Sequence, residues 1–143
     1  MHSFQVSARW KEGFHGEVEP SGVARGVPFA VPKEFGGPGG EWTPEHFLAA
    51  SVSSCVMATF LSIAQASKLD VKSYGSTAVC SMEKGEEGYR ITGVALDVRI
   101  AVGAEKDRDR AQRMLEKAEK LCPVSNAIQP GVTFQGTIEV VGG

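Results

Sequence analysis

The chain predicts an α+β fold in which antiparallel strands surround one long central helix. Two observations carry that prediction. The first is Thr43–Ala66, TPEHFLAASVSSCVMATFLSIAQA, which has helix-start chemistry and then no charged residue from Phe47 to Ser67. The second is the order of periodicities, three short strand patterns, the helix, two strands, a second helix and a last strand. Runs of strands segregated from helices in this way favour an α+β layering over a doubly wound sheet. At 143 residues the chain reads as a single domain spanning 1–143, long enough to bury a substantial core.

The elements follow in order. Phe4–Trp10 alternates and is rich in strand formers, Lys11–Gly13 turns, and His15–Glu19 returns. Val27–Val31 is a third strand, which Pro28 confines to an edge or a bulge. KEFGGPGGE, residues 33–41, is a loop whose glycines permit positive φ or close approach to the backbone. In the central helix Thr43 is a good N-cap, Pro44 suits the first helical position, and Glu45 complements the positive end of the helix dipole. A helix without charge on any side is expected to be buried in a core or a membrane. Its serines, Thr59 and Gln65 make it poor lipid-facing material, so a buried core helix is expected and no membrane association.

Val71–Met82 reads as a strand interrupted by Gly75, with Ala78, Cys80 and Met82 on one face, and Glu83–Gly88 as a hairpin-like connection. Tyr89–Val102 alternates most cleanly, with Val94, Leu96, Val98, Ile100 and Val102 on one side. Glu105–Leu121 returns to helical spacing through Ala111, Met114, Leu115, Ala118 and Leu121. Pro123 then restarts a helix at its first position, which places Cys122 at an N-cap. Val132–Val141 is the last strand, with Phe134, Gly136, Ile138 and Val140 on one face.

Composition narrows the function. With 42% hydrophobic and 22% charged residues and a net charge of −2, the composition gives no support to nucleic-acid binding, which needs a basic surface. The first residues lack a charged start followed by an apolar core, so a cytoplasmic location is expected. Three cysteines in a chain of this length are no disulfide framework. Cys55, Cys80 and Cys122 are too scattered for a zinc site, as are His2, His15 and His46, and neither a Walker loop nor GxGxxG is present, so no cofactor is expected. Cys80, inside a strand pattern, reads as a small hydrophobe. Cys122 at a helix start has its thiolate favoured. Cys55 in mid-helix needs a positive partner to become nucleophilic. Spacing alone does not pair these two thiols.

TPEHFLAASVSSC resembles the thiol-peroxidase helix of the OsmC/Ohr family: a small polar residue, Pro-Glu, two apolar residues, Ala-Ala and a cysteine five positions on. CPVSNAI resembles that family's second cysteine motif, and PKEFGGPGG its glycine-rich segment. The resemblance implies an intertwined, swapped-sheet homodimer with two active sites at the subunit interface. It implies reduction of organic hydroperoxides, with Cys55 as the peroxidatic thiol and Cys122 as the resolving thiol. An external dithiol, often lipoyl-type in the family, would reduce the disulfide.

Glu45 matches the family glutamate that orients an activating arginine. Ten helical residues span about 15 Å and about 280° of rotation, so Glu45 would reach a thiol only across subunits. Lys33 stands where Ohr-type members often carry arginine, and Arg9 and Arg25 are the other upstream cations. A lysine supplies a point charge without the planar fork of a guanidinium. His46 reads as a surface residue, and Trp42 and Phe47 as pocket lining or dimer core. The alternative function is a non-enzymatic redox-sensing or ligand-binding dimer on the same fold.

Overall fold

In the computed structural model, which describes residues 1–142, the strands form two three-stranded sheets. The chain packs as two compact units, Met1–Phe47 and Leu48–Gly143, taken here in turn.

The first unit is a meander of β1 (Val6–Glu12), β2 (His15–Pro20) and β3 (Val27–Ala30), all antiparallel. Pro28 sits on β3, an edge strand, where its missing N–H leaves no ladder bond unmade. β1 starts two residues later than the alternation of Phe4–Trp10 predicts and is exposed along its whole length. The glycine-rich segment is not wholly irregular, because Lys33–Phe35 makes a 3-10 turn closed by Gly36 at φ 88°. Gly39 and Gly40 are also left-handed, and a Cβ at position 37 would collide with the Val31 carbonyl. Both uses expected of these glycines are therefore present.

Helix α1 runs Pro44–Ala66. Thr43 caps it, its hydroxyl accepting from the His46 N–H at 3.3 Å. His46 completes a reciprocal cap, with Nδ1 lying 2.9 Å from both the Thr43 N–H and its hydroxyl. This is a capping box with imidazole in the usual carboxylate position.

The second unit contains the core. β4 (Val71–Gly85) and β5 (Gly88–Val102) form a long antiparallel hairpin, and β6 (Val132–Val140) pairs with β5. That last pairing is parallel, which differs from the expected all-antiparallel sheet. α2 and α3 together form the crossover, long enough to return β6 in the same direction as β5. The strand also runs straight through Gly75, and its bulges fall at Val71/Ser73 and Ser81/Met82 instead.

α2 (Arg108–Leu121) begins after a 3-10 turn at Glu105–Asp107, and α3 covers Pro123–Ala127. Val94, Leu96, Val98, Ile100 and Val102 of β5 are all buried, in one cluster with Val52, Val56 and Phe60 of α1 and Ala111, Leu115 and Ala118 of α2. Leu121 leaves the predicted stripe and is 55% exposed.

α1 is long and apolar enough to cross a membrane by length and composition alone, yet it packs as a core helix. Burial on every side was expected of it, but within this chain only one stripe is buried. Val52, Val56, Phe60 and Ala64 recur at i, i+4 and form that stripe. The opposite side, with Met57, Ala58 and Leu61, is exposed.

Candidate functional site

The site is built where α1 meets the junction of α2 and α3. Cys55 flanks the buried stripe of α1, one residue before Val56, and is half-buried. Cys122 ends α2 and caps α3, and is fully buried. Although far apart in sequence, their thiols lie within hydrogen-bonding reach of each other.

The surroundings of the two sulfurs differ. Cys122 accepts from the Ser125 hydroxyl at 3.2 Å and from the Ser125 N–H at 3.5 Å. Burial pushes the Cys122 thiol up, but the Ser125 hydroxyl, the Cys55 S–H and the Ser125 and Val124 N–H groups outweigh it and bring it below the ordinary thiol value. Burial also pushes Cys55 up, and its bond to Cys122 adds to that, leaving it above the ordinary value despite the Val124 N–H and Thr59. Thr59 contributes little because its hydroxyl is given to the Cys55 carbonyl at 2.8 Å.

Tyr74 of β4 faces this centre. Its ring packs on Phe60 at 5.6 Å, and its hydroxyl is buried with no hydrogen-bond partner among the described residues. Burial, with the Glu119 carboxylate and Cys122 adding, pushes the phenol up to about 12. Glu119 of α2 is itself held above the usual carboxylate range by burial and by Glu116. Among the described residues no three His, Cys, Asp or Glu side chains cluster as metal ligands would.

The sequence-predicted residues thus fall into two sets. Cys55 and Cys122 come together in the second unit, while Lys33 and Glu45 belong to the first. There, Lys33 lies along Gly39 and makes no ion pair among the described residues. Glu45 has one carboxylate oxygen, Oε2, buried without a hydrogen-bond partner among the described residues. Arg9 is already paired with Glu19 at 2.8 Å and Glu17 at 3.7 Å. Cys80 is half-buried against the core, as its strand pattern suggests.

Ser125, Tyr74 and Glu119 were not singled out from the sequence. Ser125 was legible in principle, since it is the third residue after a cap and its N–H must meet the cap side chain. Tyr74 shares strand parity with Ala78, Cys80 and Met82, which places it on the inner face.

A long helix against a mixed sheet, with two cysteines meeting at its flank, defines the OsmC-like class. A family model for OsmC-like proteins matches residues 37–136, and the chain belongs to that family. It is 29% identical over 131 residues to the organic hydroperoxide resistance protein of Xanthomonas axonopodis pv. citri, covering 88% of this chain and 87% of the relative. It is 31% identical over 115 residues to peroxiredoxin OsmC of Escherichia coli, covering 80% and 78%. Among solved structures, an organic hydroperoxide resistance protein from Legionella pneumophila superposes with TM-score 0.76 at 28% identity, over 98% of both chains. An OsmC-like protein of unknown function from Vibrio cholerae superposes with TM-score 0.84 at 21% identity, over 96% of this chain and all of the other, which speaks to the fold alone.

Proposed function

We propose that this chain is a cysteine-based hydroperoxide reductase. The observation that carries the reading is the hydrogen-bonded thiol pair Cys55–Cys122, joined from distant segments. The names of the relatives, organic hydroperoxide resistance protein and peroxiredoxin, supply the substrate class. Cys55 attacks the peroxide, so that an S–O bond forms, the O–O bond breaks, and an alcohol leaves with a proton. The resulting Cys55 sulfenic acid is attacked by the Cys122 sulfur, which forms a disulfide and releases water. An external dithiol, of lipoyl type by family resemblance, takes the disulfide back to two thiols by exchange. The sulfur atoms carry both electrons, so the cycle uses no metal or organic cofactor.

Activation of Cys55 is assigned to a second copy of the chain. In a homodimer, Glu45 of one subunit would orient a cation toward the other subunit's thiol, with Lys33 as that cation. The unpartnered Glu45 Oε2 and the free Lys33 ammonium support this assignment, as does the uncovered face of α1 with Met57 and Leu61. A cytoplasmic location would keep the dithiol reductant available.

A redox sensor that oxidises once without turnover is the second reading. It is favoured by the burial that holds the Cys55 proton in place. Titrating reduced protein with an alkyl hydroperoxide, then blocking thiols and mapping peptides, separates the two. Rapid loss of two thiols with a Cys55–Cys122 linkage, absent in Cys55→Ser and reversed by dihydrolipoamide through repeated cycles, supports the reductase. Linkage without turnover supports the sensor, and two thiols that stay free in folded protein sink both.

A further inference from the structure

A thiol attacks as its thiolate, so Cys122 has to shed a proton before it can resolve an oxidised Cys55. Its sulfur is fully buried and has no surface open to solvent. The polar groups that touch it are already spent as donors. Ser125 gives it a hydroxyl at 3.2 Å and an N–H at 3.5 Å, and the Val124 N–H is a further donor.

One polar atom close by is uncommitted. The Tyr74 hydroxyl of β4 is buried and has no hydrogen-bond partner among the described residues. Packing fixes where it lies: the ring rests on Phe60 of α1 at 5.6 Å and joins the core cluster that contains Cys122. Glu119 and Cys122 stand three residues apart at the end of α2, on neighbouring positions of one helix face. The phenol lies within electrostatic reach of both. Glu119 is only half-buried, so its carboxylate joins this centre to the surface. Both groups cost the fold stability, one as an orphaned hydroxyl, the other as a charge that burial and Glu116 oppose. Groups kept against stability in this way are common where activity needs them.

We propose that the Tyr74 hydroxyl and the Glu119 carboxylate form the route by which buried Cys122 gives up its proton as it attacks. The route rests on the resolving role of Cys122 in the reading above. Before the step the groups are Cys122–SH, Tyr74–OH, Glu119–COO⁻ and a Cys55 sulfenic acid. The Cys122 proton passes to the Tyr74 oxygen while the Tyr74 proton passes to Glu119, so the phenol never becomes an anion. The Cys122 sulfur bonds to the Cys55 sulfur, the S–O bond breaks, and hydroxide leaves as water with a proton from solvent. Glu119 then returns its proton to solvent, which closes the balance. Hydrogen bonds of such routes are often long at rest and tighten in the reacting complex. The groups that face Cys122 are Cys55 of α1, Ser125 and the Val124 N–H of α3, and Tyr74 of β4, while Glu119 faces Glu116 and Tyr74.

The test uses a nitrophenyl disulfide reagent that releases coloured thionitrobenzoate, so that no peroxide is needed. The intact reduced chain carries Cys80→Ser to leave two thiols. Half-buried Cys55 takes the reagent first and releases one equivalent. Cys122 then attacks the mixed disulfide and releases a second, a phase that Cys122→Ser should lack. Tyr74→Phe and Glu119→Gln should each slow the second phase relative to the first by about a hundredfold, the low end for a lost general base. The double variant should be no slower than either single one, because the two groups act in series. In the parent chain the second phase should slow as pH falls through the raised Glu119 range, since a protonated carboxyl accepts nothing. Glu119→Gln should lose that dependence, which a merely structural role would not alter. A second phase unchanged in both variants, or absent from the parent chain, overturns the route. Losses that add in the double variant overturn the serial arrangement. If the chain ignores alkyl hydroperoxide but shows the expected second phases, the reductase reading falls and the route stands.

Discussion

Leu115 of α2 fills the space that a side chain at position 136 of β6 would need. A Cβ on Gly136 would lie 2.6 Å from Leu115 Cδ2, and Leu115 is fully buried. The glycine is therefore kept for volume. Gly136→Ala should cost about 1–3 kcal/mol by overpacking, and Leu115→Ala about 2–5 kcal/mol by leaving a cavity. Together they should cost less than their sum by more than about 0.5 kcal/mol, because each relieves the other. Urea unfolding of the four proteins checks this, and strict additivity would remove Leu115 as the reason for the glycine.

Asp107 and Arg110 tie the start of α2 to the end of α1. The Asp107 carboxylate, nearly buried, accepts from Arg110 Nη1 at 2.7 Å, and Arg110 Nη2 donates to the Ser67 carbonyl at 2.8 Å. Arg110→Ala would strand the carboxylate, at a cost of about 1–3 kcal/mol. Adding Asp107→Asn should recover part of that loss, since a neutral amide is cheaper to leave unpaired. Thermal melts of the single and double variants decide it; a double variant no better than Arg110→Ala would mean that the stranded charge is not the cause.

The fold was legible because its strongest signals are local. The five alternating residues from Val94 to Val102 all proved buried, and Thr43 and Pro44 mark the true start of α1. The parallel pairing of β6 was not legible, because strand direction depends on how far a crossover travels and not on alternation. Absence of charge on α1 was read as burial on all sides, but charge patterning cannot say whether the covering surface lies in the same chain. At the site, the resemblance of TPEHFLAASVSSC and CPVSNAI to the family's two motifs pointed to both thiols. What escaped it was the network around them: Ser125 is defined by cap geometry, and Tyr74 by packing across elements.

The uncovered side of α1 yields a prediction about assembly. Met57 and Leu61 sit one turn apart and are 39% and 41% exposed, on the side away from the Val52–Ala64 stripe. In the proposed homodimer this side is the subunit contact. Leu61→Glu should leave the core of the second unit intact, because it touches none of the buried stripe, yet shift the protein to monomer in sedimentation velocity. A monomeric wild-type protein would overturn the homodimer, and a Leu61→Glu variant that remains dimeric with unchanged affinity would place the contact elsewhere.

Tyr74 and Glu119 should make stability fall with pH in two separate windows. Both are acids whose charged form is disfavoured by burial, so the folded state holds its proton to higher pH than the unfolded chain does. Stability declines wherever the folded state binds more protons than the unfolded one. For Glu119 the decline begins near the model-compound value of 4.5 and ends above its raised folded value. Because its side chain is partly solvated, Glu119→Gln should gain under about 1 kcal/mol at neutral pH and flatten that window. For Tyr74 the window lies between 10.0 and about 12. Tyr74→Phe removes a buried hydroxyl that has no partner among the described residues, so it should be neutral or stabilising by up to about 1 kcal/mol at neutral pH. It should also abolish the loss of stability above pH 10 that this phenol causes. Urea midpoints measured across pH for both variants test the assignment, and a Tyr74→Phe chain that loses stability above pH 10 as steeply as wild type would show that another group titrates there.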